Sequence, residues 1–166
     1  MTTLVVLKFP TAGGAARMLN TLQKLQEQRL VQIEDGAILT WPLGARKPKT
    51  KQLTYLSGGG ALSGEFWGLL VGLLFAVPIF GTVAGTAIGA LADNFAYYGI
   101  DERFIKQVRN TITEDTSALF LLTSGAMIDK VVATVKGTPL EIMSTNLSQE
   151  QEEQLLETFG KEILVW

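Results

Sequence analysis

A chain with neither histidine nor cysteine has to find its chemistry among carboxylates, amines, hydroxyls and backbone amides. Thiol nucleophiles, disulfides, imidazole acid–base work and the common zinc sites are all excluded together. Two carboxylates, Glu65 and Asp93, border a long uncharged stretch. Such a pair can hold a cation, receive a lysine or arginine from another subunit, or simply mark a polar boundary. The turn Phe9-Pro10-Thr11-Ala12-Gly13-Gly14 offers N–H groups at a helix start, where anions bind. It lacks the phosphate-loop lysine and the GxGxxG spacing, so ordinary capping is the simpler reading. Ser57-Gly58-Gly59-Gly60 reads as a hinge or a close-packing site. None of these groups assembles a nucleophile, a base and an oxyanion stabiliser. The sequence therefore reads as non-enzymatic, with no cofactor and no metal.

The elements that would carry these residues follow from periodicity. Thr3 to Phe9 is rich in β-branched and aromatic residues, the pattern of a buried strand. Pro10 ends it, and Thr11 can cap a helix to about Gln28, with Ala15, Met18, Leu19, Leu22 and Leu25 on one face. Val31 to Trp41 reads as a strand with a bulge or turn at Asp35-Gly36. The same order recurs later. Ser117 to Thr123 reads as a strand, Ser124 can cap a helix to about Lys136, Gly137 closes it, and Leu140 to Thr145 reads as a strand. Two strand–helix–strand units predict an α+β fold, a ferredoxin-like split βαβ sandwich of four antiparallel strands with helices on one face. Ser148 to Thr158 reads as a further helix with an acidic, solvated face. Lys161 to Trp166 reads as an extra edge strand or an arm.

Between the halves lies the unusual part. No charged residue occurs from Phe66 to Ala92. Gly60, Gly64, Gly68 and Gly72 are four apart, as are Gly81, Gly85 and Gly89. At 3.6 residues per turn each series lines one helix face. Each helical glycine costs about 1 kcal/mol against alanine, and close backbone approach is the compensating gain. Pro78 between the series breaks or kinks the helix. The expectation is a glycine-zipper helical hairpin, about Ser57 to Ala76 and Phe80 to Tyr98, packing on itself or on a second copy. The organisation is then 1–53 as the first half, 54–100 as the inserted hairpin, and 101–166 as the second half with a C-terminal helix and arm.

Length limits how this hairpin meets a membrane. Its uncharged parts, Phe66–Val77 and Ile79–Ala92, hold 12 and 14 residues and rise only about 18 and 21 Å, against a hydrocarbon core of about 30 Å. Full spanning would draw Glu65 and Asp93 into lipid, at about 2.5–3.5 kcal/mol for a central aspartate. A shallow or re-entrant hairpin fits better, and so does one buried in an oligomer. Arg46, Lys47, Lys49 and Lys51 precede the insert; Arg103, Lys106 and Arg109 follow it. Such clusters suit anionic headgroups on a cytoplasmic face, or are a solvated loop and an amphipathic helix. Trp67, Tyr97 and Tyr98 suit a membrane interface or a core. A net charge of −2 gives no global basic field for nucleic acid. The N-terminus reads as a strand rather than a signal peptide.

The segments Leu4-Val5-Val6-Leu7-Lys8-Phe9-Pro10, Gly60-Ala61-Leu62-Ser63-Gly64-Glu65-Phe66-Trp67-Gly68, Tyr98-Gly99-Ile100-Asp101 and Ser117-Ala118-Leu119-Phe120-Leu121-Leu122 resemble a bacterial domain-of-unknown-function family whose members are described as predicted membrane proteins. The likeness runs over nearly the whole chain. It implies a bacterial origin and a membrane label, and no catalytic residues. Two functions stay open. One is a self-associating, membrane-associated structural or stress-related protein on the cytoplasmic face, with lipid and further copies of itself as partners. The other is a soluble cytoplasmic homo-oligomeric scaffold or binding module whose hairpins pack together away from lipid.

Overall fold

Two unbroken apolar runs, Leu4–Leu7 and Leu119–Leu122, set the architecture. A strand with one face in water alternates apolar and polar residues, whereas a strand covered on both faces does not. The computed structural model of the protein describes residues 2–53, 64–75, 98–124, 128–145 and 163–165. In chain order these form β1 (Thr2–Phe9), α1 (Gly14–Glu27), β2 (Asp35–Trp41), β3 (Lys49–Gln52), α2 (Gly64–Phe75), α3 (Glu102–Thr111), β4 (Thr116–Ser124), α4 (Ile128–Val135), β5 (Glu141–Ser144) and β6 (Ile163–Val165).

The strands make one sheet in the order β3-β2-β4-β1-β5-β6. The first five pair antiparallel, and β6 joins β5 in parallel at the edge. β1 and β4 lie at the centre, in register from Thr2 opposite Ser124 to Phe9 opposite Ser117. β6 realises the edge strand expected near the C-terminus. β3 falls within the segment read as a basic flank, because four polar residues give no apolar alternation to find.

Both faces of the sheet are covered. On one, Val5, Leu7, Leu119, Leu121 and Ile142 pack against Ala15, Met18, Leu19 and Leu22 of α1 and Val131, Val132 and Val135 of α4. On the other, Leu4, Val6, Ala37, Leu39, Phe120 and Leu122 pack against Trp67, Leu70 and Leu74 of α2 and Phe104 and Val108 of α3. The expectation of helices on one face is thereby corrected. α2, read from sequence as part of the inserted hairpin, supplies a share of the second core.

Several local readings also shift. The strand expected from Val31 begins at Asp35, because Val31 and Ile33 enter the first core ahead of the ladder. Thr11 does not cap α1 through its side chain. The N-cap is Gly13, without a side-chain cap bond, and the Ala15 amide donates instead to Ser117 Oγ at 2.9 Å. Gly137 does follow the end of α4, with φ 88°, and the Thr138 amide donates to the Val135 carbonyl. α3 is capped by Asp101, whose Oδ1 accepts from the Phe104 amide at 2.8 Å. The expected helices Phe80 to Tyr98 and Ser148 to Thr158 lie outside the described residues, except for Tyr98, which stands in a turn.

Candidate functional site

α2 carries twelve residues in which only Glu65 is charged, and two hydrogen bonds and one ring contact fix its course. Near its start, the Trp67 indole Nε1 donates to Asp35 Oδ2 at 3.2 Å, and both side chains are sealed from solvent. Asp35 Oδ1 also accepts from the Gly36 amide at 2.8 Å. At its end, Arg109 of α3 donates from Nε to the Leu74 carbonyl at 2.9 Å. That gives a carbonyl in the last described turn of α2 a charged donor. Beside it, the Phe75 ring meets Trp41 edge to face, with centroids 5.5 Å apart. α2 thus runs from the Asp35 end of β2 to the Trp41 end.

Gly36 is dictated by the approach of two backbones. A Cβ there would stand 2.9 Å from the Phe120 carbonyl oxygen, and backbone cannot give way as a side chain can. Sequence suggested a bulge at Asp35-Gly36; the structure shows an uninterrupted ladder in which Gly36 faces Leu121.

The Trp41 end of the sheet is where the candidate site lies. Here residues 42–48 join β2 to β3, beginning with the turn Pro42-Leu43-Gly44-Ala45. The Ala45 amide donates to the Pro42 carbonyl at 3.1 Å, and Gly44 takes φ 86°, a conformation that favours glycine. The Trp41 indole donates to the Ala45 carbonyl at 2.9 Å. The Gly44 amide donates to the Glu114 carboxylate, and the Asp115 amide to the Trp41 carbonyl at 2.8 Å. Arg46, Lys47, Lys49 and Lys51 are all exposed.

The sequence-derived cationic residues do not form one patch. Lys49 and Lys51 stand opposite Thr40 and Ile38, on the sheet face that carries α1. Arg103 and Lys106 belong to α3 on the other face, and Arg103 lies in its first turn, away from the Trp41 end. Lys106 pairs with Glu102 at 3.5 Å, with both side chains largely exposed; such surface pairs contribute little. Arg109, grouped from sequence with these two, holds the end of α2.

Of the glycine series, Gly64, Gly68 and Gly72 fall in α2. Among the described residues, a Cβ on Gly72 would meet nothing within 4 Å. Gly60, Gly81, Gly85, Gly89, Pro78 and Asp93 lie outside the described residues. Trp67, which suited either interface or core, is core, at 2% exposure. No helix among the described residues is long and apolar enough to cross a membrane.

The Phe9–Gly14 turn borders a shallow cavity of about 300 Å³ with Arg17, Met18 and Pro139 on its walls. Three amides at the start of α1 are engaged within the protein. Gly14 donates to Thr11 O, Ala15 to Ser117 Oγ and Arg17 to Gly13 O, while the Arg17 guanidinium donates to Thr11 Oγ1 at 3.1 Å. An anion arriving there would compete with bonds already made.

Among sequence families, the profile of DUF1269, a protein family of unknown function, matches residues 61–160. The chain belongs to the DUF1269 family. No curated protein and no solved structure matches it. The DUF1269 match takes in α2, α3, β4, α4 and β5 and leaves out β1 and β2, the two strands that flank β4. The family segment is therefore not a sheet by itself. Its core is completed by residues on its N-terminal side.

Proposed function

We propose that this protein is a non-catalytic, self-associating protein that works at a membrane surface on the cytoplasmic face. The reading is carried by the Phe75–Trp41 contact. It brings the end of α2, from which an uncharged sequence continues to Ala92, to the end of the sheet where the exposed cationic hairpin begins. An apolar segment beside exposed lysine and arginine is the combination that anionic lipid attracts. The length argument keeps the segment shallow or re-entrant rather than spanning.

The fold we assign is the ferredoxin-like split βαβ plan, with the inserted glycine-zipper hairpin beginning in α2. The order β2-β4-β1-β5, all antiparallel, supports it, with α2 and α3 as an additional layer. That a Cβ on Gly72 would meet nothing among the described residues supports the glycine series as a contact for another helix, since small residues let backbones approach closely.

The docking of Trp67, Leu70 and Leu74 onto the sheet favours a second reading, a soluble homo-oligomer whose glycine-lined helices pack together away from lipid. Fractionation and native mass separate the two. Recovery with membranes, released by detergent, is expected. A discrete oligomer found wholly in the soluble fraction overturns the membrane reading. Replacing Gly68, Gly72 or Gly85 with leucine is expected to lower the native mass, and an unchanged mass would reject the glycine contact under either reading.

A further inference from the structure

The geometry points to the tip of the β2–β3 hairpin as a lipid-docking site, with Leu43 as an apolar wedge and Arg46, Lys47 and Lys49 as its anionic-headgroup contacts. The assignment deepens the membrane reading above and rests on it. Leu43 is 76% exposed, and with Leu30 it is one of two large apolar side chains left open to solvent among the described residues. A single exposed leucine is unremarkable in a loose loop. This one sits at the apex of a turn closed by the Ala45–Pro42 hydrogen bond. The turn is braced from three further sides, by the Trp41 indole on Ala45 O, by Glu114 on the Gly44 amide and by the Asp115 amide on Trp41 O. Burying a leucine from a turn already ordered costs little further conformational entropy on docking. The Glu114 carboxylate is engaged by that turn, so the acidic loop beside the tip braces it as well as diluting its charge.

The partner chemistry follows from the pairing of apolar and cationic groups. A leucine at a convex apex finds no pocket in a polyanion such as nucleic acid, whereas the acyl boundary of a bilayer accepts it while the flanking cations meet phosphate. The direction is consistent too. Phe75 against Trp41 places the last described residue of α2, from which the uncharged sequence continues to Ala92, at the same end of the molecule. Leu30 follows α1 toward the opposite end of the sheet, with Arg29 as the exposed cation next to it in sequence.

The test uses the full-length protein with vesicles of phosphatidylcholine alone and of phosphatidylcholine with phosphatidylglycerol, read by co-sedimentation. Unchanged thermal unfolding shows that the variants are folded. Wild type is expected to bind the anionic vesicles. Leu43→Ser is expected to weaken that binding about tenfold, and the triple change of Arg46, Lys47 and Lys49 to Gln at least tenfold. Leu30→Ser should leave it unchanged. If wild type binds and the loop variants bind equally, the docking assignment is overturned while the membrane reading stands. If wild type binds neither vesicle, both are overturned. If the cations matter and Leu43 does not, and a DNA oligonucleotide binds as tightly as the vesicles, the site is a polyanion contact and the lipid assignment is overturned.

Discussion

Trp67 Nε1 lies 3.2 Å from Asp35 Oδ2, inside a core from which both side chains are excluded from water. The bond ties the first described turns of the glycine-bearing helix to the first residue of β2. A buried polar group is expensive when it loses a partner, because its desolvation is no longer offset. The indole ring around the donor also fills the space between α2 and the sheet.

Trp67→Phe should therefore cost about 1–3 kcal/mol, by leaving Asp35 one donor short. Trp67→Ala should cost about 3–5 kcal/mol, since a cavity is added. Urea denaturation of both variants, with Asp35→Ala and the Asp35→Ala/Trp67→Phe double variant, reads the coupling. Strict additivity would mean the bond contributes nothing to holding α2.

The two glycines of contrasting surroundings should respond in opposite directions. Gly36→Ala drives a Cβ to 2.9 Å from the Phe120 carbonyl oxygen and should destabilise by about 1–3 kcal/mol, as overpacking does. Gly72→Ala meets open space among the described residues and in dilute protein should add up to about 1 kcal/mol through helix propensity, a gain that the helix contact proposed above would reverse as protein concentration rises. Denaturant midpoints at equal protein concentration decide both.

Arg109→Leu removes the donor to the Leu74 carbonyl while keeping an apolar stem in place. A loss of about 1.5–3 kcal/mol is expected for a hydrogen bond made by a charged group. The local consequence should be faster amide exchange in the last turn of α2 than in β4. Equal exchange rates to wild type along α2 would show that the arginine does not hold that end.

The family segment on its own should not fold. Residues 61–160 contain β4 without β1 or β2, its two neighbours, so both edges of that strand would be bare and the face carrying α1 would lose that helix. A fragment of those residues should lack a cooperative thermal transition, and adding back residues 1–60 should restore one. A sharp transition in the fragment would mean the segment makes its own sheet.

Glu102→Gln should change stability by less than about 1 kcal/mol, because its pair with Lys106 is exposed at 65% and 84%. A larger loss in denaturant would point to a contribution from helix-terminal charge, Glu102 being in the first turn of α3.

The central strands and both outer helices were legible because each carries a local period. β1, α1, β4 and α4 fall within a few residues of where apolar spacing put them, and Gly137 ends α4 as its backbone freedom suggests. The second helical layer was foreshadowed by a signal left unread. Leu4–Leu7 and Leu119–Leu122 do not alternate, and a strand apolar on both sides requires cover on both. Asp35 was also missed. An aspartate next to glycine reads as a turn, and nothing local announces that an indole over thirty residues away will bury and bond it.

By itself the sequence determined the strand and helix types, the absence of thiol and imidazole chemistry, and the uncharged stretch with its regular glycines. All of these depend on side-chain type and near-neighbour spacing. The tertiary structure alone decided that α2 lies against the sheet, that Trp67 is core, that Arg109 holds the last described turn of α2 while Arg46 and Lys47 stay in solvent, and that Leu43 stands exposed on a braced turn two residues from Trp41, which meets Phe75 of α2. Those outcomes depend on which distant segments the register of the sheet brings face to face, and burial energy acts between such segments without regard to their separation along the chain.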